Sequence, residues 1–322
     1  MLEPLLITKE LAGQTLAAVL RARMPGKSWS QVREFIASRR VHINDELSLD
    51  DARRVKEGEI VVCLTKPHPR TRATTTDGLV IRHLDEHLVV VEKPSGINTV
   101  RHPAELEWSE KRRELDPTLE DLTQFAIAQQ LDRPARSLPR LRVVSRLDKE
   151  TSGLIVFARS IIGERGLGKQ FADHTTIRRY LALIEGYLPP QRIESELIRD
   201  RGDGRRGSTR TKGSGQIAIT HIDIAERLPK YTMLWCRLET GRTHQIRIHL
   251  SEAGHPICGE RVYNRWMNDV VHTDHSGVTR LALHAAELGF QHPGTLETMM
   301  WKMPFPPELE RIVEDLRNAN QE

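Results

Sequence analysis

Strand-like segments dominate the chain after Gly78 and constrain its fold more than any other feature. They are rich in β-branched and other apolar residues, as strands usually are. The segments comprise residues 79–83, 88–93, 153–159, 180–186, 216–226 and 231–239. The first two flank a short polar turn and indicate a hairpin. In this part of the chain, helices are predicted at 118–130, 242–253 and 306–317. The sequence therefore predicts an α+β fold without a series of βαβ units.

A second, smaller unit precedes the strand-rich region. Ser28 and Gln31 have the spacing of a capping box that opens a helix, and two short strands are predicted to follow that helix. We therefore expect a small α/β domain at 1–66, a linker at 67–78 and a larger domain at 79–322. The charged, proline-containing stretch at about 104–141 is typical of an insertion between core elements.

Composition narrows the class of protein. The 322 residues are 38% hydrophobic and 29% charged, which is typical of a globular chain. No apolar run is long enough to span a bilayer, and the N-terminus does not have the pattern of an export signal. We expect a cytoplasmic protein without a membrane partner. The three cysteines, Cys63, Cys236 and Cys258, are far apart and indicate buried thiols.

The charge distribution leaves the partner open. A net charge of +4 permits an anionic partner but does not require one. Basic residues crowd the glycine-rich segment 199–212, which is typical both of a phosphate-binding loop and of a solvated surface loop.

Four segments carry residues suited to chemistry, at 92–96, 145–153, 178–182 and 240–249. Asp148 lies two residues after Arg146, directly before a strong strand. A neighbouring arginine favours the ionised carboxylate, which suits a nucleophile or an electrostatic stabiliser and does not suit a general acid. Taken alone, the same pair would be typical of a structural ion pair or a turn-capping aspartate.

Together, the four segments resemble the RluA-type pseudouridine synthases. The strings RLDKETSG (146–153) and GRTHQIRIH (241–249) carry most of the resemblance, which extends over about 79–303 in the family's order. The stretch 280–293 resembles the family's closing core strand. Residues 1–66 resemble, more loosely, the S-four-like RNA-binding domain that many members carry in front.

The resemblance implies a pseudouridine synthase fold: a mixed, mainly antiparallel bent sheet with flanking helices and a central cleft. It implies no cofactor and no metal. Asp148 matches the essential aspartate, Arg242 the basic residue that pairs with it, and Tyr180 the tyrosine that packs against uracil and is a candidate proton acceptor. Arg146 matches the arginine that takes the place of the displaced base. The matched segments also give the candidate substrate-binding residues Lys93, Thr151, His244, Gln245 and Arg247.

The chain departs from the family pattern at two places. Ser145 stands where the family often has a histidine. Three glycines fall in the segment 160–171, where the family has a better helix former, and each interior glycine costs a helix about 1 kcal/mol relative to alanine.

Three other functions fit parts of the sequence. Gly163–Lys169 matches a phosphate-binding loop, although Gln170 stands where a magnesium-binding Ser or Thr belongs. A metal site could use some of the 14 histidines, but the pairs His244/His249 and His272/His275 have no known ligand spacing. A non-catalytic RNA-binding protein would need the basic loop and the N-terminal domain only.

The resemblance leaves the RNA target open. The N-terminal domain favours structured large-subunit ribosomal RNA over transfer RNA. We expect a monomer.

Overall fold

A computed structural model describes residues 3–38, 40–44, 46–48, 51, 53–65, 79–105, 107–202, 204–264 and 272–318. The chain divides into two compact units, one comprising Met1–Arg72 with Trp108–Leu115 and the other Ala73–Glu107 with Asp116–Glu322. The linker predicted at 67–78 lies outside the described residues. The sequence did not predict that residues 108–115 belong to the first unit.

The first unit is a small α/β assembly. Its elements are β1 (Leu5–Leu6), α1 (Leu16–Arg23), α2 (Trp29–Ala37), β2 (Val41–Ile43), β3 (Glu46–Leu47), β4 (Ile60–Cys63) and α3 (Glu110–Leu115). The strands form an antiparallel sheet in the order β1-β4-β2-β3. The capping box is confirmed, because the Ser28 hydroxyl accepts from the Gln31 N–H and the Gln31 amide oxygen accepts from the Ser28 N–H. Val32 and Ile36 of α2 are fully buried in the unit's core.

The second unit is built on one large sheet. Its strands are β5 (Ile81–Leu84), β6 (Leu88–Lys93), β7 (Arg142–Val143), β8 (Ser152–Ala158), β9 (Ile177–Glu185), β10 (Gln191–Ile198), β11 (Gly207–Ser208), β12 (Gln216–Leu228), β13 (Tyr231–Leu238), β14 (Leu283–Gln291) and β15 (Thr298–Lys302). The order is β11-β10-β12-β13-β9-β14-β8-β6-β5, with β15 on β14 and β7 on β8. Only the β14–β8 pair is parallel among the described pairings, so the predicted mixed, mainly antiparallel sheet is confirmed.

Four helices flank this sheet: α4 (Leu119–Gln130), α5 (Ile161–Ala172), α6 (Gln245–Glu252) and α7 (Pro307–Asn318). The three helices predicted in this part of the chain are confirmed as α4, α6 and α7, although α6 begins three residues later than expected. Leu119, Leu122 and Ile127 of α4 lie in the core beside β6 and β8. The α4 part of the stretch 104–141 therefore contributes to the core of this unit.

The phosphate-binding loop proposed at Gly163–Lys169 is wrong, because these residues lie inside α5. Two of its glycines permit close packing. A Cβ at Gly163 would lie 2.1 Å from the His87 carbonyl oxygen, and one at Gly166 would lie 2.7 Å from the Pro293 Cβ. Glycine is needed at these two positions, in spite of its low helix propensity, because the helix backbone lies close to two turns of the sheet.

The central parallel contact also needs a glycine. Gly153 has φ +121°, and a Cβ there would lie 2.3 Å from the Ala285 carbonyl oxygen of β14. The loop that carries Asp148 ends at this contact, so its exit direction is set by the sheet.

The two kinds of glycine in α5 predict opposite effects of alanine. A Cβ at Gly168 meets nothing within 4 Å, so Gly168→Ala should stabilise the protein by up to about 1 kcal/mol through helix propensity. Gly163→Ala should destabilise it by about 1–3 kcal/mol through overpacking. Urea unfolding followed by circular dichroism measures both changes. Equal stability of the two variants would contradict the packing role of Gly163.

Candidate active site

Asp148 lies in an irregular loop that a neighbouring segment holds from behind. The Thr99 hydroxyl donates to the Leu147 carbonyl oxygen (2.7 Å) and accepts from the Leu147 N–H (3.1 Å). The Gly96 N–H donates to the Lys149 carbonyl oxygen at 2.8 Å, and the Ser95 hydroxyl donates to that of Glu150 at 2.6 Å. These backbone contacts leave little freedom for the residue that carries the carboxylate.

Lys93 belongs to this support, so its assignment as a substrate-binding residue is wrong. Its side chain is 1% exposed and does not line the cleft. The Nζ donates to the carbonyl oxygens of Pro94, Lys149 and Thr151 at 3.1, 2.9 and 2.8 Å. Three acceptors match the three N–H groups of an ammonium, while burial lowers the pKa of Lys93 to about 7.

The Asp148 carboxylate faces a cleft of about 430 Å³ and is 22% exposed on its side chain. The Arg247 Nη1 lies 3.8 Å from Oδ2 and the His244 Nε2 lies 3.9 Å from Oδ1. Both distances are too long for hydrogen bonds. No described residue hydrogen bonds to the Asp148 carboxylate. Its oxygens are therefore stabilised by charge but keep their lone pairs for a substrate.

Arg247 is itself held by a buried carboxylate. Its Nε and Nη2 donate to Glu260 at 2.7 and 2.8 Å, and the two side chains are 5% and 1% exposed. Glu260 also accepts from the N–H groups of Val262 and Tyr263. Burial alone would raise the pKa of Glu260, but hydrogen bonds from Arg247 and the backbone hold it below its ordinary value. The bidentate geometry turns the guanidinium towards Asp148.

The expectation that Arg242 pairs with Asp148 is corrected by this arrangement. Arg242 is exposed, and its Nε donates to the Ile217 carbonyl oxygen at 3.0 Å. It precedes α6, whereas Arg247 lies on the buried face of that helix. Arg242 still lines the cleft, at its rim, and Arg247 takes the pairing role.

His244 begins α6 in the left-handed conformation, with φ 59°. A histidine in that region is uncommon, and such conformations concentrate at functional sites. Its Nδ1 lies 2.7 Å from the Tyr263 hydroxyl. Burial lowers the pKa of His244, so the ring is neutral at neutral pH. When Tyr263 donates to Nδ1, the proton of His244 lies on Nε2 and points towards Asp148.

Tyr180 of β9 lines the same cleft and is 9% exposed. Burial raises the pKa of Tyr180 to about 12, so the phenol keeps its proton at neutral pH. Arg178, two residues earlier on the strand, also lines the cleft, and its charge opposes this rise. The structure thus brings Asp148, Tyr180, His244 and Arg247 to one cavity.

The other predicted site residues divide into two groups. Arg146 is exposed at the cleft, and Thr151 lines it with a buried hydroxyl for which no described residue is a partner. Gln245 also lines the cleft, but its amide is occupied by the fold. Its oxygen accepts from the Thr240 hydroxyl and the Arg242 N–H, and its nitrogen donates to Ile219 and Thr220. A substrate-binding role for Gln245 is therefore contradicted by its hydrogen bonds.

The histidines singled out in the sequence do not converge on one site. His249 is buried against Thr220 and Ser195, and burial lowers its pKa to about 4. His272 and His275 lie beside Glu185. A different group in the described ranges, His83, Asp85 and His292, has ligand atoms within 4.8 Å of one another.

The group of His83, Asp85 and His292 forms a hydrogen-bond network. The His292 Nδ1 accepts from the N–H groups of Gly294 and Thr295, so Nε2 carries the proton and donates to Asp85 at 2.9 Å. The His83 Nε2 contacts the same carboxylate oxygen at 2.6 Å. A metal would need the lone pair of His292 Nε2, which this tautomer does not offer.

Sequence reasoning missed Glu260 and Tyr263, and it assigned no role to Arg178 although this residue lies in the segment 178–182. Glu260 and Tyr263 follow α6 in a loop without periodicity, and only the three-dimensional contact with Arg247 and His244 reveals them. Arg178 has a local signal, because it lies on the same face of β9 as Tyr180.

The comparisons with known proteins show the family to which the chain belongs. Residues 87–252 match the family described as RNA pseudouridylate synthase, and this match includes Asp148, Tyr180 and Arg247. The chain belongs to the RNA pseudouridylate synthase family, and it is an enzyme of the isomerase class.

Relatives match almost the whole chain. Ribosomal large subunit pseudouridine synthase D of Nitrosomonas europaea is 31% identical over 98% of this chain and 88% of its own length. Ribosomal large subunit pseudouridine synthase C of Escherichia coli is 29% identical over 97% of this chain and 96% of its own. The solved structure of human RNA Pseudouridylate Synthase Domain Containing 4 has a TM-score of 0.58, covers 74% of this chain and 92% of that chain, and is 21% identical. The last similarity shows the fold.

Lys93 predicts a pH effect on stability. Its pKa falls from 10.5 in the unfolded chain to about 7 in the folded one, so between these values the unfolded chain binds the extra proton. The free energy of unfolding of wild type should therefore rise with pH across this window relative to Lys93→Met. The measurement is urea unfolding from pH 6.5 to 10.5, with exposed Lys169→Met as the matched control. Parallel profiles for wild type and Lys93→Met would show that the three carbonyls keep the ammonium charged throughout.

Proposed function

We propose that this enzyme isomerises a uridine of large-subunit ribosomal RNA to pseudouridine, with Asp148 as the catalytic carboxylate. The observation that carries the proposal is the Asp148 carboxylate itself. It faces the cleft without a hydrogen-bond partner among the described residues, and Arg247 stabilises its charge from 3.8 Å. The names of the relatives favour large-subunit ribosomal RNA over the alternative, transfer RNA.

Bond cleavage is the step that needs this carboxylate. Breaking the bond between ribose C1′ and uracil N1 builds positive charge on the sugar, as in glycoside cleavage. An anion in the cleft stabilises that charge or forms a covalent bond with the sugar or the base. Arg247 lies 3.8 Å from the carboxylate and stabilises its negative charge, and Glu260 keeps Arg247 in position. The reaction involves no net oxidation or hydrolysis.

Rotation of the released uracil is the second step. The base must stay in the cleft while C5 replaces N1 opposite C1′, and the Tyr180 ring offers an apolar face for this movement. The proton on C5 must then leave. With its pKa at about 12, Tyr180 can give its phenol proton to N1 of the released uracil, which carries the negative charge, and can then take the proton from C5. The charge of Arg178 favours the phenolate that exists between these two transfers.

Access to the cleft requires extrusion of the uridine from its stack. Arg146 is exposed at the cleft and can occupy the space that the base leaves, which lowers the cost of extrusion. The basic segment 199–212 and the N-terminal unit would add phosphate contacts, so affinity should fall as salt rises. We also propose that the protein acts in the cytoplasm and as a monomer. Among the described helices, none is both long and apolar enough to cross a bilayer.

The test compares Asp148→Asn with Asp315→Asn, a matched change at an exposed residue of α7 outside the cleft. Asp148→Asn should lower the rate of conversion at least about a thousandfold with RNA binding retained, because the group that stabilises the transition state loses its charge. Pseudouridine mapping of ribosomal and transfer RNA, in cells that lack the protein and carry each variant, gives the readout.

A restored pseudouridine with Asp148→Asn would contradict the catalytic assignment. A restored position in transfer RNA, with none in large-subunit ribosomal RNA, would contradict the target. In either case the Asp315→Asn control must match wild type.

A further inference from the structure

A second cavity of about 690 Å³ adjoins the cleft that holds Tyr180. Residues 144–148 line both cavities, as do Gly241, Arg242 and His244, so the Asp148 loop forms a wall between them. The far wall of the second cavity is the segment 98–105, together with Val143 of β7. Its volume falls in the range of about 300–1,000 Å³ that is usual for sites that bind a small molecule.

The lining has an apolar part and a cationic part. Val100, Pro103, Val143 and Leu147 supply a surface against which an unstacked base can lie. Val143 is 39% exposed although it is apolar. The side-chain amide of Asn98, in the same lining, has no hydrogen bond to any other described residue and can meet the polar edge of a base.

The cations lie where a sugar-phosphate backbone would leave the first cavity. Arg146, Lys149 and Arg242 are exposed, and none of them forms an ion pair within the described part of the chain. Arg101 differs, because its guanidinium is held by Asp121 and by the Asp116 carbonyl oxygen. Proteins that bind single-stranded nucleic acid combine a positively charged groove with aromatic rings on which bases stack, and in this cavity aliphatic side chains would take the place of the rings.

We propose that the second cavity binds the base of an unpaired nucleotide adjacent to the target uridine in the same RNA strand. This inference rests on the proposed function. A strand that places one nucleotide against Asp148 must pass the wall at 144–148, and Arg146 lies in that wall. The neighbouring base then enters the apolar slot, and its phosphate meets Lys149. The site thereby selects uridines whose neighbour can also leave its stack.

The experiment is a double-mutant cycle between protein and RNA. The RNA is a synthetic stem-loop that carries the mapped uridine, made intact and with an abasic residue at its 5′ or its 3′ neighbour. The proteins are wild type, Val143→Trp, which fills the slot, and Val80→Trp. Val80 is a matched control because it is 42% exposed and lines neither cavity. Binding constants and single-turnover rates are measured for each pair.

Wild type should bind one of the two abasic RNAs about tenfold more weakly than intact RNA, within the range measured for loss of one bound base. Val143→Trp should weaken binding of intact RNA about tenfold and binding of that abasic RNA less than about twofold, since the lost contact is the same one. Val80→Trp should bind as wild type does. Independent, multiplying effects of the two changes, or no effect of Val143→Trp, would overturn the inference.

Two further results separate the inference from the function on which it rests. Lys149→Gln should lower the slope of log affinity against log salt by about 0.7–1, whereas exposed Lys169→Gln should leave it unchanged. An unchanged slope for Lys149→Gln would count against the phosphate contact. If wild type converts the uridine but the effects of Val143→Trp and of the abasic residue on binding are additive, only the second site is refuted. Wild type that binds but never converts any uridine refutes the proposed function.

Discussion

The ion pair between Arg247 and Glu260 is the interaction on which the active site depends. Both side chains are almost completely buried, so each would be costly without the other. Their bidentate contact uses two of the guanidinium's nitrogens, Nε and Nη2, and leaves Nη1 directed at Asp148. Arg247 thus places a fixed positive charge beside Asp148 without forming a hydrogen bond that would occupy a lone pair of the carboxylate. A carboxylate that is stabilised but not hydrogen bonded remains able to act on a sugar.

The backbone behind Asp148 is constrained as closely as its charge. Lys93 anchors the loop through the carbonyl oxygens of Lys149 and Thr151, and Gly153 lets the loop enter the sheet at the parallel contact with β14. These residues touch no substrate in the proposed reaction. They fix the position of the loop that carries Asp148 as closely as a helix or strand would fix it. The second cavity uses the other side of the same loop, so one constraint serves two proposed contacts with RNA.

Much of this architecture could be predicted from the sequence. The capping box at Ser28, the hairpin of β5 and β6, and helices α4, α6 and α7 follow from local patterns. Strand β10 was missed because polar and charged residues occupy most of its positions, including Glu194 and Glu196. Helix α5 was not predicted because its glycines are poor helix formers. Their reason is tertiary packing, since His87 and Pro293 lie too close to the helix for larger side chains at Gly163 and Gly166.

The sequence predicted several residues of the site, but it missed others and assigned some of the roles wrongly. Motif resemblance selected Asp148 and Tyr180, and the structure brings them to one cleft. It could not distinguish Arg242 from Arg247, because both lie in one motif and the buried helix α6 begins between them. Lys93 and Gln245 were placed at the substrate because motif residues are often assumed to bind it. Their hydrogen bonds show instead that they hold backbone, which no one-dimensional pattern reveals.

The central claim is that Arg247, and not Arg242, stabilises the charge of Asp148. The direct measurement is the single-turnover rate at saturating enzyme for Arg247→Lys and Arg242→Lys. A lysine at 247 cannot hold Glu260 bidentately and also face Asp148. The account predicts a loss of at least about a hundredfold for Arg247→Lys, and about fivefold or less for Arg242→Lys. A larger loss for Arg242→Lys than for Arg247→Lys would contradict it.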